Sequence, residues 1–586
     1  MVVLLSHFSL HGARRCPVGA RLGRLLNADQ HRMVAHLRRL ASDYADPRAE
    51  STGRSLRVLV LADFAESLAP LEPGARTSPP DILSTSLLDM NRAIFAKTLA
   101  NFDPIPHLGV FHAACYEDPR LLELRRLPLH YRPDIPSVAA LPQRGAPAEV
   151  LCFMRQWDAA GRLQLEHPRF AAADEQGSLF PVYKDADTDR IVFNRIPRNR
   201  KEFHLPGFSR FTIAGSDLVD LFVPPGSSAR FCTDDLADCY PAMVASSARA
   251  RSNALAFTAP LAAYEGTVAL DRFRRKCADL GLPLPRRLRP CHRGLPMGDV
   301  NAVEWCAEAH VRLLRSSGSL APEVTLQNGK PFPRGGCIEG LVLEDHLGIA
   351  IDDDSADLED PASNTSRLLA SFASANQAYE ESGWKPSVKK ARRLERSGAF
   401  LGAELLPDSS FLGAERFRRR QLSRASWALA SHGRSTTALL QKLLSTWVHA
   451  LLFRRPLLAL LDNVYAEIHP DRDPHEVFLL SQRARGVFAS LAVLAPTMVS
   501  NLAADFAPEV AATDASSFGQ GSCRARIPTA LSEELWRHRD KRGTYTKLYS
   551  EWARALCLGG DRDAADELEP DLFGTAPSPA RVLLET

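Results

Sequence analysis

The chain has little net charge, no paired cysteines and no long apolar run, and each shortage removes a class of protein. Its 72 Lys and Arg against 69 Asp and Glu leave a net charge of +3 over 586 residues, so bulk charge alone does not mark a nucleic-acid binder. The eleven cysteines are scattered without CxxC pairs or His/Cys ligand spacing. Neither zinc nor a disulfide framework is expected, and a reduced intracellular compartment, cytoplasmic or nuclear, is implied. No run of about 18 apolar residues occurs, so no membrane partner is expected. There is no internal repeat and no long low-complexity tract. The first acid is Asp29, and the Arg-bearing stretch before it faintly resembles a transit peptide but reads rather as a basic tail.

What is present is ordinary in bulk and uneven in detail. Forty-five per cent apolar and 24% charged residues fit a soluble chain of several domains with sizeable cores. Arginines cluster at Arg286–Arg293, Arg392–Arg396, Arg416–Arg424 and Arg454–Arg455, and local patches of this kind can meet phosphates even when total charge is small.

Along the chain, residues 1–145 carry no recognisable chemistry. Within them, Leu56-Arg-Val-Leu-Val-Leu-Ala62 reads as a strand, 69–80 as a Pro-rich loop and 85–101 as helical. Short strands alternate with turns over 146–230, where Ile191-Val-Phe193 runs into the basic turn Asn194–Lys201. Residues 231–410 mix strands and helices. Cys337–Ala350 reads as strand, tight turn, strand with Glu344-Asp345 at the tip. Ser366–Glu381 reads as a helix with Leu368, Leu369, Phe372 and Tyr379 on one face. Residues 411–503 are almost wholly helical in pattern, with a break at Arg454-Arg455-Pro456. Glu509–Asp514 opens a new strand in the last segment, 504–586.

Four segments carry chemistry by their order. Phe231-Cys-Thr-Asp-Asp-Leu-Ala-Asp-Cys-Tyr-Pro241 places Asp235 at a strand end, with Asp238 and Tyr240 just beyond. Leu295-Pro-Met-Gly298 is a rigid turn ahead of a helix running to about Leu314, and its glycine allows close backbone approach. The Glu344-Asp345 hairpin and Phe400-Leu-Gly-Ala403 follow. Nucleotidyl transfer needs two divalent cations, one at the attacking hydroxyl and one at the leaving pyrophosphate, so carboxylates from different strands must converge. Asp235 with Glu344 and Asp345 meets that need if their strands are neighbours. A second placement, Asp352-Asp353, lies in a more polar run that reads as a solvated loop.

This ordered set resembles the reverse transcriptases of retroelements, especially the DIRS and tyrosine-recombinase type. The resemblance covers roughly residues 150–500. It implies an α+β right-hand polymerase with fingers at 146–230, a ferredoxin-like palm at 231–410 and a helical thumb at 411–503. Asp235–Tyr240 resembles the first palm motif, Leu295–Gly298 the second, and Leu343–His346 the place of the family's paired aspartates. Trp384–Lys390 resembles the lysine-bearing motif and Phe400–Ala403 the primer-grip strand. The roles implied are metal ligation by Asp235, Glu344 and Asp345, general acid catalysis by Lys389 or Lys390, and nucleotide contacts by Asp238, Tyr240, Met297 and Gly298. Arg195 and Arg198 would meet the triphosphate, and Tyr240 would exclude a ribose 2′-hydroxyl. Two Mg2+ ions, or Mn2+, are the implied cofactors, and template–primer and deoxynucleoside triphosphates the partners. Ala512-Thr-Asp-Ala-Ser516 resembles the opening strand of an RNase H domain, with Asp514 as its first carboxylate and the unit incomplete.

The sequence departs from that pattern at two places. Glu344 stands where the family has Asp, moving the carboxylate by about one C–C bond, roughly 1.5 Å. Asn194 and Ile196 stand where related elements carry Asp and Arg. A catalytically impaired nucleic-acid-binding protein with a polymerase fold is therefore the alternative expectation.

Overall fold

A computed structural model describes residues 53–77, 99–124, 145–183, 188–205, 207–407, 410–516 and 519–539, with 35, 39–41, 44, 93–94 and 143 besides. They fall into two compact units. One comprises Met1–Leu83, Ala214–Val223 and Arg396–Ala503; the other comprises Ser84–Ile213, Pro224–Glu395 and Ala504–Thr586.

The second unit carries the central sheet. In chain order its elements are α1 (Pro147–Ala159), β1 (Leu163–Glu166), β2 (Ser178–Tyr183), β3 (Asp189–Asn194), β4 (Ser227–Asp235), α2 (Val268–Asp279), β5 (Arg287–His292), α3 (Ala302–Ser316), β6 (Cys337–Val342), β7 (Asp345–Asp353), α4 (Asn364–Ser382) and β8 (Arg392–Glu395). The four-stranded sheet runs β8-β4-β7-β6, with every neighbouring pair antiparallel. Its strands are thus joined β-α-β-β-α-β, with β1, β5 and α2 belonging to a separate small sheet region.

Alternation decides which face of this sheet is covered. Cys232 and Asp234 of β4, with His346, Gly348 and Ala350 of β7, point to one side, where Leu368 and Phe372 of α4 close over Cys232 and Ala350. The small residues make room for that helix. A Cβ on Gly348 would lie 2.3 Å from Leu368 and 2.7 Å from Phe372. Asp235 and Asp345 therefore share the opposite face with Thr233 and Leu347.

Helix α4 starts on Ser363, whose hydroxyl accepts from the Ser366 amide, and stops on Gly383 at φ 77°, the conformation glycine favours at a helix end. Leu368, Phe372 and Tyr379 are buried as the spacing expects, but Leu369 is 37% exposed and belongs to the outer side.

The first unit holds a four-stranded antiparallel sheet of Gly398–Phe400, Ala403–Leu405, Phe411–Ala414 and Val499–Asn501. Helices Arg416–His432, Thr437–Leu451 and Gln482–Leu494 belong to it. The helical pattern breaks where expected: Arg454 leaves helical geometry at φ −146° just before Pro456. One expectation fails. Leu56–Ala62 is not a strand but lies within helix Gly53–Ser67. Val58, Leu61, Ala62, Ala65 and Leu68 are buried, a three-to-four residue spacing that a short apolar run conceals. The helix expected at 85–101 lies largely outside the described residues, and where the span is described, Ala93–Ile94 is a strand paired with Asp189 and Arg190 rather than helix. Among the described residues no helix is long and apolar enough to cross a membrane.

Candidate active site

Three acids meet at one end of the central sheet. Asp235 is the last residue of β4 and stands directly across from Asp345, the first residue of β7. One step further, the Leu236 amide donates to the Glu344 carbonyl at 2.9 Å. Directly opposed residues of an antiparallel pair send their side chains to the same face, so the two aspartates confront each other. Asp234 points the other way, into an ion pair with Arg393 at 2.8 Å and a hydrogen bond from Asn376. The pleat thus selects one carboxylate from the Asp234-Asp235 pair.

The acids are strongly coupled. Burial pushes the Asp345 carboxyl up to about 7, and the charges of Asp235 and Glu344 push the same way. The Asp235 and Asp345 side chains face each other across the two strands, so the charge of Asp235 opposes ionisation of Asp345. Glu344 is also raised, first by burial and then by Asp235, while its own backbone amide, Lys390 and Arg190 oppose the rise.

A strap beyond α4 completes this end. The Ser387 amide donates to the Asp235 carbonyl at 2.7 Å, and the Ala237 amide to the Lys385 carbonyl at 2.9 Å. The strap then delivers Lys390, whose Nζ lies 2.7 Å from Oδ2 of Asp235. Of the two lysines considered from sequence, Lys390 rather than Lys389 meets the acid; Lys389 is exposed.

Tyr240 sits in the short helix Cys239–Ala242, largely buried in the core that contains Trp305 and Tyr379. Burial raises its hydroxyl, as do the neighbouring Cys306, Cys239 and Glu344. Asp238 precedes that helix at φ 52°, close enough to Arg162 to affect its guanidinium.

The Leu295–Gly298 turn is docked on β3. The Phe193 amide donates to the Met297 carbonyl at 3.3 Å, and Nδ2 of Asn199 to the Gly298 carbonyl at 2.7 Å. Gly298 has φ 116°, and a Cβ there would meet the Phe193 carbonyl at 2.4 Å. The close approach expected of this glycine is thus made to the protein's own strand. Met297 is partly exposed and, with Pro241, Phe193, Trp157 and Arg162, lines a cavity of about 440 Å³.

Arg195 and Arg198 do not take the place expected of them. Arg195 is 1% exposed and binds both Glu202 oxygens, at 2.8 and 3.0 Å. Asp299, also paired with Arg249, lies 3.1 Å away. Arg198 is buried between Glu202 and Glu123. The basic turn folds as a four-residue helix, Ile196–Asn199, and Glu202 just after it bridges both guanidinium groups, with Asp299 and Glu123 supplying the further negative charge. Sequence reasoning passed over Arg190 instead. It is exposed on β3 and near enough to favour ionisation of Glu344. The one signal for it was its place at the start of the Ile191–Phe193 strand.

The alternative pair Asp352-Asp353 is committed elsewhere. Asp352 accepts from the Asn364 and Thr365 amides at the start of α4, and Asp353 is held low by Ser355. Phe400 and Ala403 face each other across a tight hairpin in the first unit. Asp514 lies on a strand, Glu509–Ser516, paired with Gly519–Arg526, and its side chain is outside the described residues.

No family model matches the chain, and no curated protein sequence matches it. Among solved structures it is similar to the foamy viral protease–reverse transcriptase. A form in complex with double-stranded DNA matches at 14% identity and TM-score 0.40, over 79% of this chain and 73% of that one. The RNA/DNA hybrid complex matches at 14% and 0.38, over 92% of this chain and 54% of that one. A further complex with double-stranded DNA matches at 14% and 0.38, over 89% and 85%. Likeness at this level carries no chemistry with it.

Proposed function

We propose that the second unit is the palm and fingers of an RNA-directed DNA polymerase, adding deoxynucleotides to a primer 3′-hydroxyl along a template. The observation that supports this reading most is the cross-strand pair of Asp235 and Asp345 with Glu344 beside it, at the end of a β-α-β-β-α-β sheet of ferredoxin-like order. Opposed carboxyls that resist ionising together form a donor set at which a divalent cation can displace a proton. Among the described residues no three such side chains are already gathered tightly enough to hold a metal, so the fit is that of a pair with a third acid in reach. Asp235, Asp345 and Glu344 would hold Mg2+ or Mn2+, which when bound supplies charge for the attacking hydroxyl and the departing pyrophosphate.

The chain's own groups then divide the remaining work. Arg190 presents a fixed positive charge beside the acids for the triphosphate. Lys390, released from Asp235, gives a proton to the leaving phosphate oxygen. The Tyr240 ring fills the volume beside the sugar and disfavours ribonucleotides. Primer extension by the purified chain tests the reading, and Asp235→Ala should lower incorporation on the order of a thousandfold or more, since several kcal/mol of transition-state charge stabilisation is lost. Equal incorporation by the variant, or none by the native chain with either metal, would count against it.

A second reading, a nucleic-acid-binding protein with impaired catalysis, is favoured by Glu344. Magnesium demands near-octahedral ligands at about 2.0–2.1 Å, and the extra methylene moves one of them. Glu344→Asp decides between the two: activity that appears only in the variant establishes the impaired reading for the native chain.

A further inference from the structure

The hairpin that carries Glu344 and Asp345 is built without the residues such a turn usually employs. Pairing of β6 with β7 closes at Val342 opposite Asp345, leaving Leu343 and Glu344 as a two-residue loop. Leu343 lies at φ 55°, a left-handed conformation that is unfavourable for a residue with a side chain and that Asn or Gly ordinarily supplies in tight hairpins. A turn under this strain persists only when its surroundings over-determine it.

Two ties do so. The Glu344 carbonyl is held by the Leu236 amide, next to Asp235. The Leu343 carbonyl is held at 2.6 Å by Nδ1 of His310, on α3. Because a carbonyl only accepts, Nδ1 carries the hydrogen. Nε2 of the same ring lies 2.7 Å from the Tyr379 hydroxyl on α4. Burial holds the imidazole neutral, down to about 3, with His346 adding to the fall, so Nε2 accepts and Tyr379 donates. Tyr379 keeps its proton because burial raises its hydroxyl well above the usual range. His310 is completely buried, and neither of its nitrogens is left for other work.

We propose that His310, oriented by Tyr379, is the positioning residue of the carboxylate hairpin, fixing through the Leu343 carbonyl where Glu344 and Asp345 stand relative to Asp235. This rests on the metal-binding reading of those acids, but it adds a role for a buried relay that touches no substrate. The relay runs from α4 through α3 to the turn, so the two helices that cover the sheet also set the geometry at its end. Groups that orient metal ligands from behind typically change metal affinity or activity by about 10–100-fold when removed.

The test measures Mn2+ binding by calorimetry on the full chain, alongside primer extension and thermal melting. His310→Leu should weaken Mn2+ binding and lower kcat by about tenfold or more with KM for the nucleotide unchanged. His310→Asn, whose side-chain amide can replace the Nδ1 donor, should recover most of both, while Tyr379→Phe should fall between. A residue that only fills the core would lower the melting temperature and leave Mn2+ affinity alone. Wild-type Mn2+ affinity in folded His310→Leu, with Asp345→Asn no longer binding, overturns the inference and leaves the metal-site reading standing. If Asp345→Asn binds Mn2+ as the native chain does, the metal-site reading itself falls and takes the inference with it. Should His310→Leu not fold, His310→Gln, which shifts the donor by about one bond length, replaces it under the same criteria.

Discussion

At the scale of single residues, Asp345 is the group whose chemistry is most exposed to measurement. Its folded carboxyl titrates near 7 against a usual 3.8, so the folded chain keeps a proton that the unfolded chain has already released. Raising the pH from about 4 to about 7 therefore favours unfolding, and the metal-free chain should lose thermal stability over that window. Asp345→Asn should flatten the profile, read from melting temperature against pH in chelator. The same proton competes with a cation, so Mn2+ affinity should rise about tenfold per pH unit below 7 and level off above it. Arg195 shows what was hidden at this scale. Its charge is plain in the sequence, but besides Glu202 its partners Asn253 and Asp299 come from segments far along the chain, and no local pattern announces them. Lys390 was hidden for the same reason, since it is the strap's hydrogen bonds to Asp235 and Ala237 that select it over its neighbour.

At the scale of elements, strand alternation made much of the sheet legible. The β6–β7 hairpin, the helix after Gly298 and helix α4 all lie close to where period and caps place them, because each carries its own start and stop signals. Leu56–Ala62 is ambiguous in the sequence because seven apolar-rich residues fit a strand and a buried helix equally well, and only packing separates them. The Leu295–Gly298 turn was legible as a turn, but not as a piece of β3. Gly298→Ala puts a methyl 2.4 Å from the Phe193 carbonyl at a φ that alanine avoids, so it should destabilise the fold by about 1–3 kcal/mol. Denaturant unfolding would show this as a lower midpoint with unchanged slope, and an unchanged midpoint would mean that the turn can undock without penalty.

At the scale of the whole molecule, most of the arginine clusters turn out to be internal structure. Arg289 binds the Pro168 and Leu255 carbonyls, Arg393 neutralises Asp234, Arg416 pairs with Glu404, and Arg424 with Asp63 and Glu66. Among the described residues, the exposed basic side chains on the segments around the acids include Lys385, Lys389, Arg392 and Arg190, besides Lys390 on Asp235. Arg392 is paired opposite Thr233 and shares the face of Asp235. A footprint of about three phosphate contacts gives a log–log salt slope of about −2 to −3. Template–primer affinity, measured by fluorescence anisotropy, should therefore decline gently with salt, and neutralising Lys385, Lys389 and Arg392 together should nearly abolish the decline. A slope steeper than about −6 would place the contacts elsewhere on the chain.

The raised Asp345 carboxyl and the ammonium of Lys390 beside Asp235 have one more consequence. Together they offset much of the negative charge that the aspartate pair would otherwise carry, so the metal-free site is partly its own counter-ion. A newly synthesised chain need not wait for a cation to finish folding, and a chelator should empty the site without melting the sheet around it.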